Sequence, residues 1–246
     1  MTPKPSPAER IGPIARRKEW PNCRPRDAAT LIIVDDSGKE PLVLMGRRSD
    51  KHVFMPGKFV FPGGRISSAD SRLRTGDDLN PTVMRKLLVD MKGTESPNRA
   101  RGIALTALRE TFEETGLLIG KPQASAPPTR SPIWRQFHQQ GVSPSLAGLR
   151  FIARAITPPR RARRYDTRFF CTSREAIAGS IGESDGELLD LHWLTLKDAS
   201  ALDLPPVTQF VLNDLQPYLE AGRLPPRNAP VPYYYARNGF YERRHI

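Results

Sequence analysis

Short apolar blocks separated by turn residues run along this chain and predict a mixed α/β domain. β-branched and aliphatic residues form strand-like blocks at residues 28–34, 41–45, 58–61, 150–156 and 188–194. Residues with helical spacing form the blocks 81–92, 102–115, 133–138, 146–149, 195–199 and 206–215. The first two strands flank an Asp-Asp-Ser-Gly turn, so we expect them to pair as a hairpin. Strands and helices in this order predict a sheet covered by helices.

The helix expected at residues 102–115 carries three carboxylates on one face. Glu110 precedes Glu113 by three positions and Glu114 by four, which places the three side chains next to one another. Gly116 follows at the position where a helix ends in the left-handed conformation. Clustered anions repel, so this face is either solvated and screened by salt or it holds a divalent metal. The helix alone leaves both interpretations open.

An apolar run upstream of this helix ends in two glycines. Residues 58–61 lead into Pro62, Gly63 and Gly64, which predicts a strand that enters a tight glycine turn. A glycine turn lets a backbone carbonyl approach a metal closely. Together with the acidic helix, this turn favours the metal site over the solvated face.

These two segments resemble the signature of the Nudix hydrolases, G-x5-E-x7-R-E-U-x-E-E-x-G-U, in which U is a bulky apolar residue. That signature usually follows a Phe-Pro-Gly strand end, as it does here. Its second half is matched by residues 109–117, with Thr111 at the first apolar position. The first half is interrupted, because Gly64 and Glu110 are 46 positions apart whereas the ungapped pattern separates them by 15. About 31 extra residues therefore lie between the turn and the helix.

The first glutamate of the signature is the position that this chain does not match. Counting eight positions back from Arg109, where the pattern has that glutamate, gives Arg101. We take the glutamate to be missing or displaced, with Glu95 as its substitute.

The resemblance implies an α/β/α sandwich built on a mixed, curved sheet. We expect this domain to span residues 27–222, with a basic N-terminal extension at 1–26 and a basic, aromatic C-terminal tail at 223–246. An insertion inside the signature, at about residues 65–98, should contain the helix at 81–92. It forms either a lid or wall of the substrate pocket or a body packed on the outside of the domain or at a dimer interface.

The resemblance also implies metal-dependent hydrolysis of a diphosphate. The ligands of Mg²⁺ or Mn²⁺ would be Glu110, Glu113, Glu114 and the carbonyl of Gly63. A box glutamate, Glu113 or Glu114, or else Glu187 would act as general base, and Arg109 would orient the carboxylates by ion pairing.

Glu187 enters this set through its distance from the last predicted strand. It lies six residues before Trp193, the offset at which the oxidised-dGTP pyrophosphatase of the family has a glutamate that completes the metal site. Glu183 and Asp185 in the same acidic turn remain candidates, and so does a plain surface turn.

Two further segments resemble the coenzyme A diphosphatases of this family. Their pattern L-L-T-x-R-S/A-x3-R-x3-G-x3-F-P-G-G is met in part, with Gly46 in place of threonine and Val53 in place of arginine. The positions that match this pattern are Leu44, Met45, Arg48, Ser49, Gly57 and residues 61–64. The second segment, residues 157–171, is similar to the subgroup with a split signature. Coenzyme A or acyl-coenzyme A is therefore the expected substrate.

Arginines near these segments are candidate phosphate ligands, because a guanidinium group matches two phosphate oxygens at once. Solvated strand ends and turns are the alternative interpretation. The candidates are Arg47, Arg48, Arg163, Arg164 and Arg168.

The net charge of +12 lies mostly in the two extensions, which carry +5 and +4 and leave +3 for the domain. Basic extensions attract polyanions or improve solubility. They keep open a non-catalytic Nudix-fold protein that binds nucleotides or RNA. No apolar run approaches 18 residues, no secretory h-region is seen, and Cys23 and Cys171 have no metal-site spacing. We expect a cytoplasmic protein with no membrane partner, and a homodimer remains open.

Overall fold

The computed structural model describes residues 8–14, 20–49, 57–125, 127–182 and 184–246. Two short 3-10 helices lie at Asp70–Arg72 and Arg174–Ala176. The α-helices are α1 (Pro81–Leu88), α2 (Pro97–Thr115), α3 (Pro132–Gln139), α4 (Leu196–Ala201) and α5 (Pro206–Glu220). The strands are β1 (Glu9–Pro13), β2 (Arg26–Asp35), β3 (Leu42–Arg48), β4 (Phe59–Val60), β5 (Gly63–Arg65), β6 (Leu117–Pro122), β7 (Val142–Pro144), β8 (Arg150–Ile156), β9 (Tyr165–Ser173), β10 (Ile177–Ser180), β11 (Leu188–Thr195), β12 (Pro232–Arg237) and β13 (Phe240–His245).

Among the described residues, ten strands form one mixed sheet in the order β1-β13-β12-β8-β9-β2-β3-β11, with β4 added to β3 and β5 added to β2. The pairs β2–β9 and β12–β8 are parallel, and the other pairs are antiparallel. A smaller sheet has the order β10-β6-β7. The predicted mixed sheet flanked by helices is confirmed.

The central strand β2 shows why helices cover both faces of the sheet. Its residues Leu31 and Ile33 pack into one hydrophobic cluster with α1, α2 and α3. Ile32 and Val34 pack into a second cluster with α4 and α5. All four are fully buried, as the alternating directions of strand side chains require when both faces are covered. The three layers therefore form the expected α/β/α sandwich.

Most of the predicted elements are present, with small changes at their ends. The predicted hairpin joins β2 to β3, with Val34 opposite Val43. The helical piece expected at 146–149 is an irregular turn, because the Leu146 amide donates to a carboxylate oxygen of Asp77 and does not start a helix.

The two extensions contribute strands to the sheet, which corrects the separate C-terminal tail expected at 223–246. Strands β12 and β13 form a hairpin that continues the sheet beyond β8, and β1 pairs with β13. The sequence could not show this pairing because its partners are more than 70 residues away along the chain. Part of the N-terminal extension, residues 1–7 and 15–19, lies outside the described residues. None of the described helices is long and apolar enough to cross a membrane.

A buried network of charges holds the residues that follow α1 against the sheet. Arg154 donates two hydrogen bonds of 2.8 Å to Asp166 and two more to the carbonyls of Val89 and Asp90, just after α1. Arg168 completes the network through its ion pair with Asp166 at 3.2 Å. Burial alone would raise the pKa of Asp166, but the hydrogen bond from Arg154 and the charge of Arg168 outweigh it and lower that pKa.

Replacing Asp166 with alanine should lower the free energy of unfolding by about 3–5 kcal/mol, because the buried guanidinium group of Arg154 loses its counter-charge and that of Arg168 keeps only Asp27 among the described acids. Urea unfolding followed by circular dichroism measures this loss. The control is Asp203→Ala, which removes a surface partner of Lys58 and should cost less than about 1 kcal/mol. Equal losses in the two variants would contradict a stabilising role for the network.

Candidate active site

Helix α2 carries the predicted acidic face and ends where the sequence indicated. Its first turn is capped by Ser96, whose hydroxyl accepts from the Arg99 amide, and Gly116 ends it at φ 72°. The side chain of Glu110 is 14% exposed and that of Glu113 is 27% exposed. Glu114 is 1% exposed. Depth therefore increases from Glu113 through Glu110 to Glu114, and Glu113 is the most exposed of the three.

The guanidinium group of Arg109 joins this helix to its surroundings. Its Nη2 lies 2.7 Å from Glu110 Oε1 and 2.9 Å from the carbonyl of Arg65. Its Nη1 pairs with Glu113. Burial lowers the pKa of Arg109, but Glu110 and Asp70 outweigh this effect and raise it. Arg109 therefore stays charged and fixes two of the three carboxylates.

Asp70 is the site residue that the sequence analysis missed. It is fully buried, and its Oδ1 accepts from Arg109 Nε at 3.0 Å. Asp70 lies six positions after Gly64, where the signature G-x5-E has its first glutamate. Counting forward from Gly64, instead of back from Arg109 through the insertion, finds an acid at the required position.

Neither Arg101, at the position counted back from Arg109, nor Glu95, the expected substitute, reaches the site. Arg101 pairs on the surface with Asp78. Glu95 is exposed and precedes α2, some 22 Å from Glu110 at about 1.5 Å of helix rise per residue. The split in the signature therefore lies after Asp70, and the extra residues are inserted between Asp70 and Arg109.

The two glycines ahead of Asp70 lie on strand β5, which corrects the expected glycine turn. Gly63 pairs with Thr30 and Gly64 with Ala29 of β2, and neither glycine has positive φ. A Cβ atom on Gly64 would overlap the carboxylate of Glu110. Close approach, and not the backbone conformation, therefore requires glycine here.

The contact that Gly63 makes also differs from the expected one. Its amide N–H donates to Glu114 Oε2 at 2.9 Å. The amide of Gly63 thus orients a carboxylate, and the role of its carbonyl as a metal ligand stays a prediction.

The acidic turn before β11 brings Glu187 to the same place. Its carbonyl accepts from the Ser49 amide at 3.1 Å, and its carboxylate pairs with Arg48 at the end of β3. The Asp185 amide donates to the carbonyl of Glu113 at 2.8 Å, which ties the turn to the end of α2. Glu183 lies outside the described residues.

Three carboxylates of helix α2 have raised pKa values. Burial, together with the charges of Glu113 and Glu187, raises the pKa of Glu110 to about 7 against the opposing effect of Arg109. Burial and the neighbouring Glu110 raise the pKa of Glu114 well above its usual range. Burial also raises the pKa of Glu113. Acids with raised pKa values that face one another are typical of functional sites.

A cleft of about 460 Å³ opens beside these carboxylates. Glu110, Glu187, Gly63 and Gly64 line one part of it. The rest of its wall includes three arginines, two aromatic residues and the start of α5: Arg48, Arg65, Arg163, Tyr165, Phe169, Val207 and Thr208. Of the described residues in the predicted insertion, Arg65 alone lines the cleft. Helix α1 of the insertion packs into the hydrophobic cluster with α2 and β2, so the insertion forms part of the domain core and does not cover the cleft as a lid.

The candidate phosphate ligands are divided between the cleft and other places. Arg48 and Arg163 line the cleft. Arg47 pairs with Asp190 at 3.1 Å and does not line it. Arg164 donates to the carbonyls of Thr157 and Cys23.

Arg168 requires a correction, because it is 1% exposed. Its guanidinium group pairs with Asp27 at 2.8 Å in the buried charge network. Side chains on β9 alternate between the two faces of the sheet, so Thr167 and Phe169 line the cleft while Arg168 points away from it.

The donor groups at this site fit a divalent cation in chemistry, although they are not assembled around one. Within the described ranges, no three histidine, cysteine or acidic side chains are grouped closely enough to hold a metal. Carboxylate oxygens are the ligands that Mg²⁺ prefers, and Glu110, Glu114 and Glu187 raise one another's electrostatic energy. A bound cation would remove that repulsion.

Comparisons with known proteins agree with this geometry. No family model matches the chain. The chain is 25% identical over 203 residues to acyl-coenzyme A diphosphatase NUDT19 of Xenopus laevis. That alignment covers 64% of this chain, which spans about half (53%) of the relative's length.

Solved structures resemble the whole domain more completely. A Nudix hydrolase from Alicyclobacillus acidocaldarius covers 82% of this chain and 99% of its own, with 24% identity and a TM-score of 0.58. The Nudix domain of Shewanella oneidensis NrtR, solved with ADP ribose, covers 80% of this chain and 90% of its own, with 15% identity and a TM-score of 0.44. From the signature, the sandwich and the first of these structures, we conclude that this chain has the Nudix hydrolase fold.

Proposed function

We propose that this chain is a Nudix diphosphatase, a metal-dependent hydrolase that cleaves the diphosphate linkage of a nucleoside diphosphate derivative. The observation that carries the proposal is the group of repelling carboxylates, Glu110, Glu114 and Glu187, next to a cleft whose walls carry arginines. The carboxylates suit a bound metal cation, and the arginines suit the phosphate oxygens of an anionic substrate in the same cleft. Solvation of an acidic helix face would not bury Glu114.

Mg²⁺ or Mn²⁺ held by Glu110 and Glu114 would neutralise the diphosphate and lower the pKa of a bound water. Glu113 or Glu187 would complete the set of ligands. The amide of Gly63 keeps one carboxylate oxygen of Glu114 in place, and Arg109 does the same for Glu110. Such supporting contacts fix the direction of ligands before anything binds.

The other residues at the cleft would bind the phosphate groups and accept a proton. Arg65 and Arg163 line the cleft and would bind phosphate oxygens. Glu187, kept at the cleft by Arg48, would accept a proton from the attacking water. The water oxygen then bonds to phosphorus as the bridging P–O bond breaks, which gives two monophosphates.

Coenzyme A or acyl-coenzyme A is our preferred substrate. The partial pattern at residues 44–64 supports it, as does similarity to a protein named as an acyl-coenzyme A diphosphatase. The cleft beyond the carboxylates offers Tyr165, Phe169 and Val207 to a base or another apolar part of such a ligand. Position 53 of the pattern lies outside the described residues.

A second candidate is a non-catalytic protein that binds nucleotides or RNA. It is favoured by the net charge of +12 and by the absence of an assembled metal cluster among the described residues. It does not account for acids buried beside a cleft. We further propose a cytoplasmic location, because Cys23 and Cys171 are both free thiols, and we leave a homodimer open.

Replacing Glu114 with glutamine should lower kcat by about 100-fold or more, because it removes a metal ligand and keeps the side-chain volume. Phosphate-ester products from coenzyme A, acyl-coenzyme A and ADP ribose with Mg²⁺ are measured by chromatography. Glu95→Gln, at an exposed residue before α2, is the matched control and should be unchanged. No turnover by the wild-type protein, together with RNA or nucleotide binding, would favour the second candidate instead.

The effect of metal on stability should depend on pH. The folded protein holds a proton on Glu110 up to a pKa of about 7, so the metal-free protein loses stability as pH rises from about 4.5 to 7. A cation binds the ionised form, so Mg²⁺ should raise the melting temperature more at about pH 8 than at about pH 5.5. Differential scanning fluorimetry tests this. Two results would contradict Glu110 as a metal ligand. One is an equal Mg²⁺-induced rise in melting temperature at both pH values, and the other is an unchanged pH dependence of that rise in Glu110→Gln.

Replacing Gly64 with alanine should weaken the binding of the divalent cation, Mg²⁺ or Mn²⁺, about 10-fold or more, because the added methyl group displaces the Glu110 carboxylate. Gly76→Ala is the control, since a Cβ atom there meets no atom within 4 Å. Isothermal titration with Mn²⁺ compares the two variants. If Gly64→Ala binds metal as the wild type does, Glu110 is not a ligand.

A further inference from the structure

We propose that Trp134 is a positioning residue of the active site. Its indole N–H holds Asp70, which in turn orients Arg109 and through it Glu110. The catalytic part of this inference rests on the function proposed above. The structural part, that Trp134 sets the position of Arg109, does not.

Trp134 lies on α3, outside the Nudix signature, and its side chain has no solvent exposure. Its Nε1 lies 3.0 Å from Asp70 Oδ1. The indole ring packs against Phe137 with ring centroids 5.5 Å apart, and Phe137 packs against Phe112 of α2 at 5.1 Å. Contacts on this scale leave the indole ring little freedom, so the direction of its N–H bond is fixed.

Asp70 depends on several donors because it carries a charge away from water. Its Oδ1 accepts from Trp134 and Arg109, and its Oδ2 accepts from the Ser67 amide at 2.9 Å with Thr106 Oγ1 at 3.0 Å. Ser67 belongs to the same loop as Asp70, and Thr106 and Arg109 belong to α2. Among these donors, Trp134 is the one on α3, so it fixes the Asp70 carboxylate relative to that helix.

Loss of the Trp134 indole N–H would change the position of Glu110 through the guanidinium group of Arg109. A buried carboxylate that loses a donor must turn or admit water. Arg109 Nε follows it, and Nη2 of the same rigid group holds both Glu110 and the carbonyl of Arg65. A change in the orientation of Asp70 therefore displaces Glu110 relative to the strand that carries Gly64.

A purely packing role for Trp134 is the competing explanation. In that case the N–H bond only satisfies a buried indole, and a smaller aromatic ring would affect stability alone. Phe170 provides the comparison, because it is equally buried in the same cluster and its ring packs against Phe151, away from Trp134.

The test compares Trp134→Phe with Phe170→Leu in the whole chain. Trp134→Phe should lower kcat about 10-fold or more with Mg²⁺ present and change KM less, as expected for the loss of a supporting contact. In the metal-free protein, hydrogen exchange of the Arg109 Nε–H, assigned by its loss in Arg109→Lys, should become faster by NMR. Phe170→Leu should lower the melting temperature and leave both readouts unchanged.

Retention of wild-type kcat and wild-type exchange in Trp134→Phe would overturn the inference. If the wild-type protein hydrolyses no diphosphate, the proposed function fails while the exchange measurement still decides the position of Arg109. If Trp134→Phe does not fold, 3-benzothienylalanine at position 134 keeps the ring size and replaces N–H by sulfur. The same slow exchange in that protein as in the wild type would also contradict the inference.

Discussion

The buried ion pair between Asp70 and Arg109 is the interaction on which the rest of the site depends. Both side chains are almost completely removed from water, so neither charge is tolerated there without the other. The pair joins the loop after β5 to helix α2 across 38 intervening residues. Because this contact spans the insertion, the two halves of the Nudix signature meet in space although they are far apart in sequence.

The chain handles its buried charges in two different ways. In the network of Asp166, Arg154 and Arg168, each carboxylate meets a guanidinium group, and the pKa of Asp166 is lowered. At the cleft, burial and neighbouring acids raise the pKa values of Glu110 and Glu114. The first arrangement stabilises the fold as it stands. The second costs stability until a cation binds, which is why we assign function to it.

Local patterns predicted what local forces determine. Helix α2 and its end at Gly116 follow from spacing and a glycine, and the β2–β3 hairpin follows from two strands around a short turn. The C-terminal hairpin was missed although Asn238 and Gly239 are a local hairpin signal, whereas its pairing with β8 joins residues more than 70 positions apart. Asp70 was missed because the insertion hides its distance from the helix. Alternation along β9 would have placed Arg168 on the face opposite Thr167 and Phe169, but the sequence analysis did not apply it to residues 157–171.

The central claim is that Glu110 and Glu114 bind a divalent cation beside a cleft that holds a diphosphate. A crystal soaked with Mn²⁺ and a non-hydrolysable diphosphate analogue tests it most directly, because the anomalous signal locates the metal. We expect Mn²⁺ at about 2.1 Å from carboxylate oxygens of both glutamates, with the analogue between them and Arg163. Mn²⁺ bound elsewhere, or an analogue bound outside the cleft, would contradict the account.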